Sequence, residues 1–230
     1  MVIEMLGIQL AGAAPGLALL LFFYLKDRYE PEPLIMVFRT FIFGALLVFP
    51  IAFIEYVLEV ENMVMNELSV AFSTGLIEEF FKWSILYLAA YRHREFDEPF
   101  DGIVYGTSLS LGFATAENIM YLMINGMEYA LIRALLPVSS HALFGVMMGF
   151  YISKAKFTNG PKWPWMGLSF VLPSLMHGIF NYLLLSQESW LVTLIPFMIF
   201  IWWFGMKKVQ KAELLSKNHF NRQDKHSSRT

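Results

Sequence analysis

Two adjacent glutamates followed by a lysine, Glu78-Glu79-Phe80-Phe81-Lys82, stand inside an otherwise apolar stretch of a 230-residue chain. Ionisable groups in such a setting are costly in lipid and tend to be functional. Neighbouring residues point about 100° apart on a helix, so one carboxylate can face a cavity while the other turns to an adjacent helix. Lys82 follows Glu78 by four residues and Glu79 by three, within reach of either along one helix face. Two carboxylates at low dielectric do not both ionise cheaply, which raises the pKa of one and suits it to acid–base work. For Lys82 the plainer role, a structural ion pair, is preferred.

His177 and Asn181 lie one helical turn apart and offer two donors that can hold a developing oxyanion. The alternative for them is an interhelical polar contact. His141, in Ser139-Ser140-His141-Ala142, and Glu117, in Phe113-Ala114-Thr115-Ala116-Glu117-Asn118, complete the set. The small residues around His141 also suit close helix packing. Arg133 is expected near the outer end of its stretch, snorkelling or pairing with an acidic loop. Asn118 is assigned no role.

The elements that must position these groups are transmembrane helices. Of the chain, 57% is hydrophobic and 16% charged, whereas a soluble domain averages about 25% charged. Apolar stretches occupy about 3–25, 34–58, 69–91, 101–124, 129–152, 166–186 and 189–206. Backbone groups in lipid must be satisfied within the segment. The pattern therefore predicts an all-α, polytopic membrane bundle of about seven transmembrane helices. The first is expected to be a retained helix, kinked at Pro15-Gly16, because no basic segment precedes it and the apolar run continues through Leu25. Glu78, His141 and His177 fall about 14, 18 and 17 Å into their stretches, near the middle of a core about 30 Å thick. Glu117 lies further toward the outer face. One polar cavity, shared by several helices, is expected at or just outside the midplane.

Lys26 and Arg28, Arg92 and Arg94, Lys154, Lys156 and Lys162, and the basic residues from Lys207 to Arg229 follow alternate stretches. The other connections carry Glu59, Glu61, Glu67, Glu128 and Glu188, with no Lys or Arg. The positive-inside rule then places the N-terminus outside and the C-terminus in the cytoplasm. Residues 1–210 are expected to form a single transmembrane domain, and 211–230 a basic polar cytoplasmic tail that acts as an orientation signal near anionic lipid. Trp163, Trp165, Trp190, Trp202 and Trp203 fit aromatic belts. A net charge of −2 gives no indication of a nucleic-acid partner, and a chain without cysteine has no disulfides, thiolate metal sites or cysteine nucleophiles.

Several chemistries are disfavoured. No H-E-x-x-H is present. Asp97 and Asp101 are placed at a cytoplasmic loop rather than as a buried aspartyl pair. Gly106-Thr107-Ser108 is a weak match to G-x-S and lies nearer the cytoplasmic end than the histidines. A Glu/His cluster can bind zinc, so a zinc-dependent membrane protease remains an alternative. So do a non-catalytic scaffold and a proton-coupled transporter, although the internal repeat common in transporters is not seen.

Taken in order, these strings resemble the PrsW family of intramembrane proteases, distant relatives of the CAAX-prenyl endopeptidases. Glu78 to Lys82 resembles the family's E-E-x-x-K motif, Phe113 to Glu117 its F-x-x-x-E, His141 its third motif, and His177 to Asn181 its H-x-x-x-[N/D]. Tyr24 to Asp27, Asp101 to Gly106, Arg133 to Pro137 and Trp202 to Gly205 are also similar. The likeness runs from about residue 5 to 210 and implies a protease of the bacterial plasma membrane. Its implied partner is a single-span membrane anti-sigma factor, which receives the first (site-1) cut before the sigma factor is released in an envelope-stress response. A glutamate-type enzyme without a cofactor is implied: Glu78 activates water, Glu79 assists, and His177 and Asn181 hold the oxyanion. Glu117 stands where the CAAX enzymes carry a histidine. Either His141 takes over that function or Glu117 shares a proton with Glu78.

Overall fold

A computed structural model describes residues 2–61, 63–64, 66–185 and 190–227, with side chains described between residues 5 and 222. Glu188, Arg229 and the connection at 187–188 lie outside the described residues. Among the described residues every regular element is helical. The chain runs through α1 (Val2–Tyr24), α2 (Leu34–Val60) and α3 (Glu67–Leu86), which a π-helical turn (Tyr87–Tyr91) extends, to α4 (Asp101–Asn125). After a 3-10 turn (Met127–Tyr129) come α5 (Ala130–Arg133), a second π-helical turn (Ala134–Val138) and α6 (Ser139–Phe157). The last two helices are α7 (Trp163–Leu185) and α8 (Trp190–Ser227).

Five rods, Met5–Tyr24, Leu34–Val60, Met127–Phe157, Trp163–Leu185 and Trp190–Arg222, are long and apolar enough to cross a membrane. α3 and α4 have 20 and 25 residues but are diluted by the polar groups that form the site. The expected number of about seven spans depends on including them. Ile35, Phe38, Phe53, Leu131, Val192 and Ile199 are more than half exposed on the outward surfaces, an apolar coat that lipid would cover.

α4 is the central post. Its residues from Asp101 to Thr115 are buried, and α1, α2 and α6 pack around it. Gly102 and Gly106 of α4 face Gly149 and Gly145 of α6, and a Cβ at any of the four would collide with the opposite helix. Small residues one turn apart let two backbones approach closely, which drives packing where lipid offers no hydrophobic gain. Hydrogen bonds add to this: Ser108 Oγ donates to Val37 O of α2 at 2.7 Å, and Asn118 Nδ2 to Gly12 O of α1 at 3.0 Å. Such bonds contribute about 0.6 kcal/mol each on average. Ser108 therefore has a packing role, in keeping with the weakness of the G-x-S match.

α3 and α7 form a second close pair. A Cβ on Gly75 would meet Gly178 N at 2.7 Å. Asn66 caps the start of α3, its Oδ1 accepting from Ser69 N at 2.8 Å, with Ser69 Oγ accepting from Asn66 N at 3.1 Å. α4 stops at Gly126, whose φ of 102° favours glycine.

The basic connections share one end of the bundle with the C-terminal part of α8. Arg28 pairs with Glu213 at 3.5 Å, Lys156 Nζ donates to Tyr91 O at 2.7 Å, and Phe100 N donates to Ser216 Oγ at 3.0 Å. α8 continues well past residue 206. Its own Val209, Ala212 and Ser216 are buried, and the basic residues from 211 on continue the last helix. One placement needs correction: Asp101 is fully buried at the first residue of α4, where its Oδ2 accepts from the amides of Asp97 and Glu98 in the preceding segment at 2.7 and 2.6 Å.

Candidate active site

The Gly75–Gly178 contact sets the geometry of the site. Gly75 lies one turn before Glu79, and Gly178 follows His177, so the close crossing brings these two polar groups together. His177 Nδ1 lies 3.1 Å from Glu79 Oε1. Lys82, with no exposed surface, donates to Glu78 Oε2 at 2.9 Å and to Glu79 Oε1 at 2.8 Å. Its Nζ also lies 3.3 Å from His141 Nδ1 and 4.0 Å from the Phe113 ring centre. The lysine thus forms the ion pair expected of it, and with both glutamates. The two carboxylates share an ammonium instead of a proton.

The network fixes the histidine tautomers by hydrogen-bond logic. His141 Nδ1 faces an ammonium and must accept. Its Nε2 therefore carries the proton and donates to Glu117 Oε2 at 3.1 Å. Glu79 Oε1 accepts from Lys82, so His177 Nδ1 is the donor in its contact with that oxygen. The two imidazoles meet edge to face with ring centres 5.0 Å apart, and Phe144 stacks on His177 at 5.0 Å. Ser110 Oγ donates to His141 O at 2.7 Å, holding α6 against α4 at this level.

These groups border a cavity of about 280 Å³ whose polar wall comprises Glu55, Thr74, Glu78, Glu117, Arg133, His141, His177 and Asn181. Glu78 lines it; Glu79, fully buried, stands behind. Of the six residues singled out in the sequence, five line the cavity and Glu79 supports it from the second row. Arg133 differs from expectation. It reaches inward and binds Glu117 Oε1 at 2.8 Å and Asn118 Oδ1 at 2.9 Å, because an unpaired Glu117 would cost more in this setting than a snorkelling arginine would gain. Glu117 is thus held by Arg133 and His141.

Glu55 was not singled out from the sequence. It lies in α2 within an apolar run, and its Oε1 is buried without a hydrogen-bond partner. A lone acid near a helix end carries no motif. The detectable signal was its position inside a lipid-length stretch.

Glu78, Glu79, His141 and His177 each offer a ligand atom within 4.8 Å of the others, a donor set chemically suited to zinc. The placement of Lys82 argues against that use. Its ammonium contacts Glu78, Glu79 and His141 at 2.8–3.3 Å, whereas zinc needs these side chains at about 2.0–2.2 Å. The ammonium takes one oxygen of each glutamate and faces His141 Nδ1, while Glu79 Oε2 is buried without a hydrogen-bond partner.

Comparison with known proteins matches residues 32–206 to the family described as PrsW family intramembrane metalloprotease. Protease PrsW of Bacillus subtilis (strain 168) is 54% identical over 210 residues, covering 90% of this chain and 96% of that protein. Protease PrsW of Geobacillus kaustophilus (strain HTA426) is 55% identical over 204 residues, covering 88% and 91%. Protease PrsW of Clostridioides difficile (strain 630) is 34% identical over 206 residues, covering 85% and 87%. No solved structure matches the chain.

Proposed function

The chain belongs to the PrsW family of intramembrane proteases, and from that premise we propose that it makes the site-1 cut in a single-span anti-sigma factor in the bacterial plasma membrane, with Glu78 as the general base. The observation that carries the mechanism is the division of labour between adjacent glutamates: Glu78 opens on the polar cavity while Glu79 is buried behind it against Lys82 and His177. The family is described as metalloproteases; here Lys82 already neutralises the glutamate pair, and the proposed mechanism runs without an ion.

A substrate segment unwinds into the cavity and brings its scissile carbonyl beside Glu78. Glu78 takes a proton from water as the oxygen bonds to the carbonyl carbon. The Asn181 amide donates to the developing oxyanion, beside His177, whose Nδ1–H is held by Glu79. Glu78 then gives its proton to the departing nitrogen. The C–N bond breaks, leaving a new carboxylate and a new amine. Glu117, Arg133 and His141 form the opposite wall and keep Lys82 directed at the glutamates.

Mass spectrometry of a tagged single-span anti-sigma factor, reconstituted with the purified chain, should reveal one new pair of termini near its membrane segment. Intact substrate after long incubation would contradict the assignment.

A further inference from the structure

A second group of acids lies at the opposite end of the bundle, about 24 Å along α4 from Glu117. Asp27 and Glu32 come from the α1–α2 connection, Glu98 from the segment before α4, and Asp101 from its first turn. All are buried, with exposures of 5, 3, 1 and 0%. None of the ion pairs among the described residues involves any of them.

The donors nearby are already committed. The amides of Asp97 and Glu98 go to Asp101 Oδ2, and Tyr105 Oη donates to Glu32 Oε2. Lys156 is turned to the carbonyls of Tyr91 and His93 at 2.7 and 3.5 Å. Asp27 Oδ1 and Oδ2, Glu98 Oε1 and Oε2, and Asp101 Oδ1 are buried with no hydrogen-bond partner of ordinary geometry. Asp27, Glu98 and Asp101 each place a carboxylate oxygen within 4.8 Å of the others. Oxygens bound to one ion at about 2.4 Å cannot be further apart than that.

Unpaired buried carboxylates are strongly unfavourable, and three converging carboxylates, five of whose oxygens lack a donor, describe the complement of a cation. The set is all oxygen, which suits a hard ion and not zinc or copper. We propose that Asp27, Glu98 and Asp101, with Glu32 beside them, form a binding site for a hard divalent cation, calcium or magnesium, that fastens the α1–α2 connection to the head of α4. Water completes the coordination shell. Because Glu98 also adjoins Ser216 of α8, the ion ties three segments of the chain at one point. Without an ion, burial pushes Asp27 up to about 6, Glu32 to about 7 and Glu98 to about 9, a measure of how poorly the fold tolerates these charges alone.

The test uses the full chain in detergent, stripped of divalent ions and titrated with terbium(III) as a calcium probe, excited through tyrosine because Tyr105 bonds a member of the cluster. Wild type and Glu78→Gln should both give saturable emission that calcium displaces. An Asp27→Asn/Glu98→Gln variant should bind at least tenfold more weakly. Calcium or magnesium should also raise the unfolding temperature of wild type, beyond an ionic-strength-matched sodium control, and leave that of the variant unmoved. If the double variant does not fold, Glu98→Gln alone takes its place. Absence of saturable emission, equal binding by the variant, or loss of the signal in Glu78→Gln would overturn the proposal. The last outcome would place the ion in the catalytic cavity.

Discussion

His177 Nδ1 and Glu79 Oε1 meet at 3.1 Å across the crossing of α3 and α7. This contact makes Glu79, the sequence neighbour of the proposed base Glu78, a positioning residue. Glu79 does not open on the cavity, yet it sets the direction of the imidazole that does.

Glu79→Gln should therefore impair turnover more than substrate binding. The amide keeps the shape but loses the charge that holds both Lys82 and His177. A displaced catalytic group can cost about 10²-fold, so a kcat loss of that order with KM little changed is expected. Steady-state cleavage of a reconstituted substrate checks it.

Lys82→Met leaves two carboxylates buried without their counterion. Removing one partner of a buried charge pair costs about 3–5 kcal/mol. Thermal unfolding in detergent should show a large drop, and adding Glu79→Gln to the variant should recover part of it. No drop would mean that the ammonium is not the counterion of the pair.

Gly75→Ala tests the α3–α7 crossing. The new methyl would meet the backbone of Gly178 at 2.7 Å, and a backbone cannot move aside as a side chain can. Overpacking costs about 1–3 kcal/mol, and His177 shifts away from Glu79. Cleavage should fall more steeply than unfolding temperature. Gly7→Ala, with nothing within 4 Å of the added methyl, is the matched control.

The acid cluster gives a pH dependence. Asp27, Glu32 and Glu98 are raised to about 6, 7 and 9 by burial. A carboxyl with a raised native pKa holds its proton more tightly when folded, so its contribution is complete below the unfolded pKa of about 4 and is lost as pH climbs through the native value. Facing groups do not reverse this: Tyr105 donates to Glu32, and Lys156 is spent on carbonyls. In ion-free buffer the unfolding temperature should fall between pH 5 and pH 9. Calcium should restore more of it at pH 8 than at pH 5, where protons compete.

Much of this architecture is legible in the sequence because lipid imposes a length on apolar runs and a penalty on charges within them. Glu78, Glu117, His141 and His177 stood out for that reason, and depth counting brought them to one cavity. The Arg133–Glu117 pair did not. The partners are 16 residues apart, on elements whose approach the sequence does not show. Glu55 escaped because a single acid has no spacing to read. The burial of Asp27, Glu98 and Asp101 escaped for a different reason: loop acids next to basic residues look solvated until the packing of α8 over them is known. The same packing explains why the last helix outruns its apolar segment.

The central claim is that Glu78 is the base and that no metal takes part. Its most direct test is the turnover of a single-span anti-sigma factor by wild type and by Glu78→Gln, each with and without a zinc-selective chelator, with calcium and magnesium kept in the buffer. The account predicts a fall of about 10²–10⁴-fold for Glu78→Gln, the usual range for loss of a general base, and no effect of the chelator on wild type. Near-normal cutting by Glu78→Gln, or wild-type activity abolished by the chelator and restored by zinc, would contradict it.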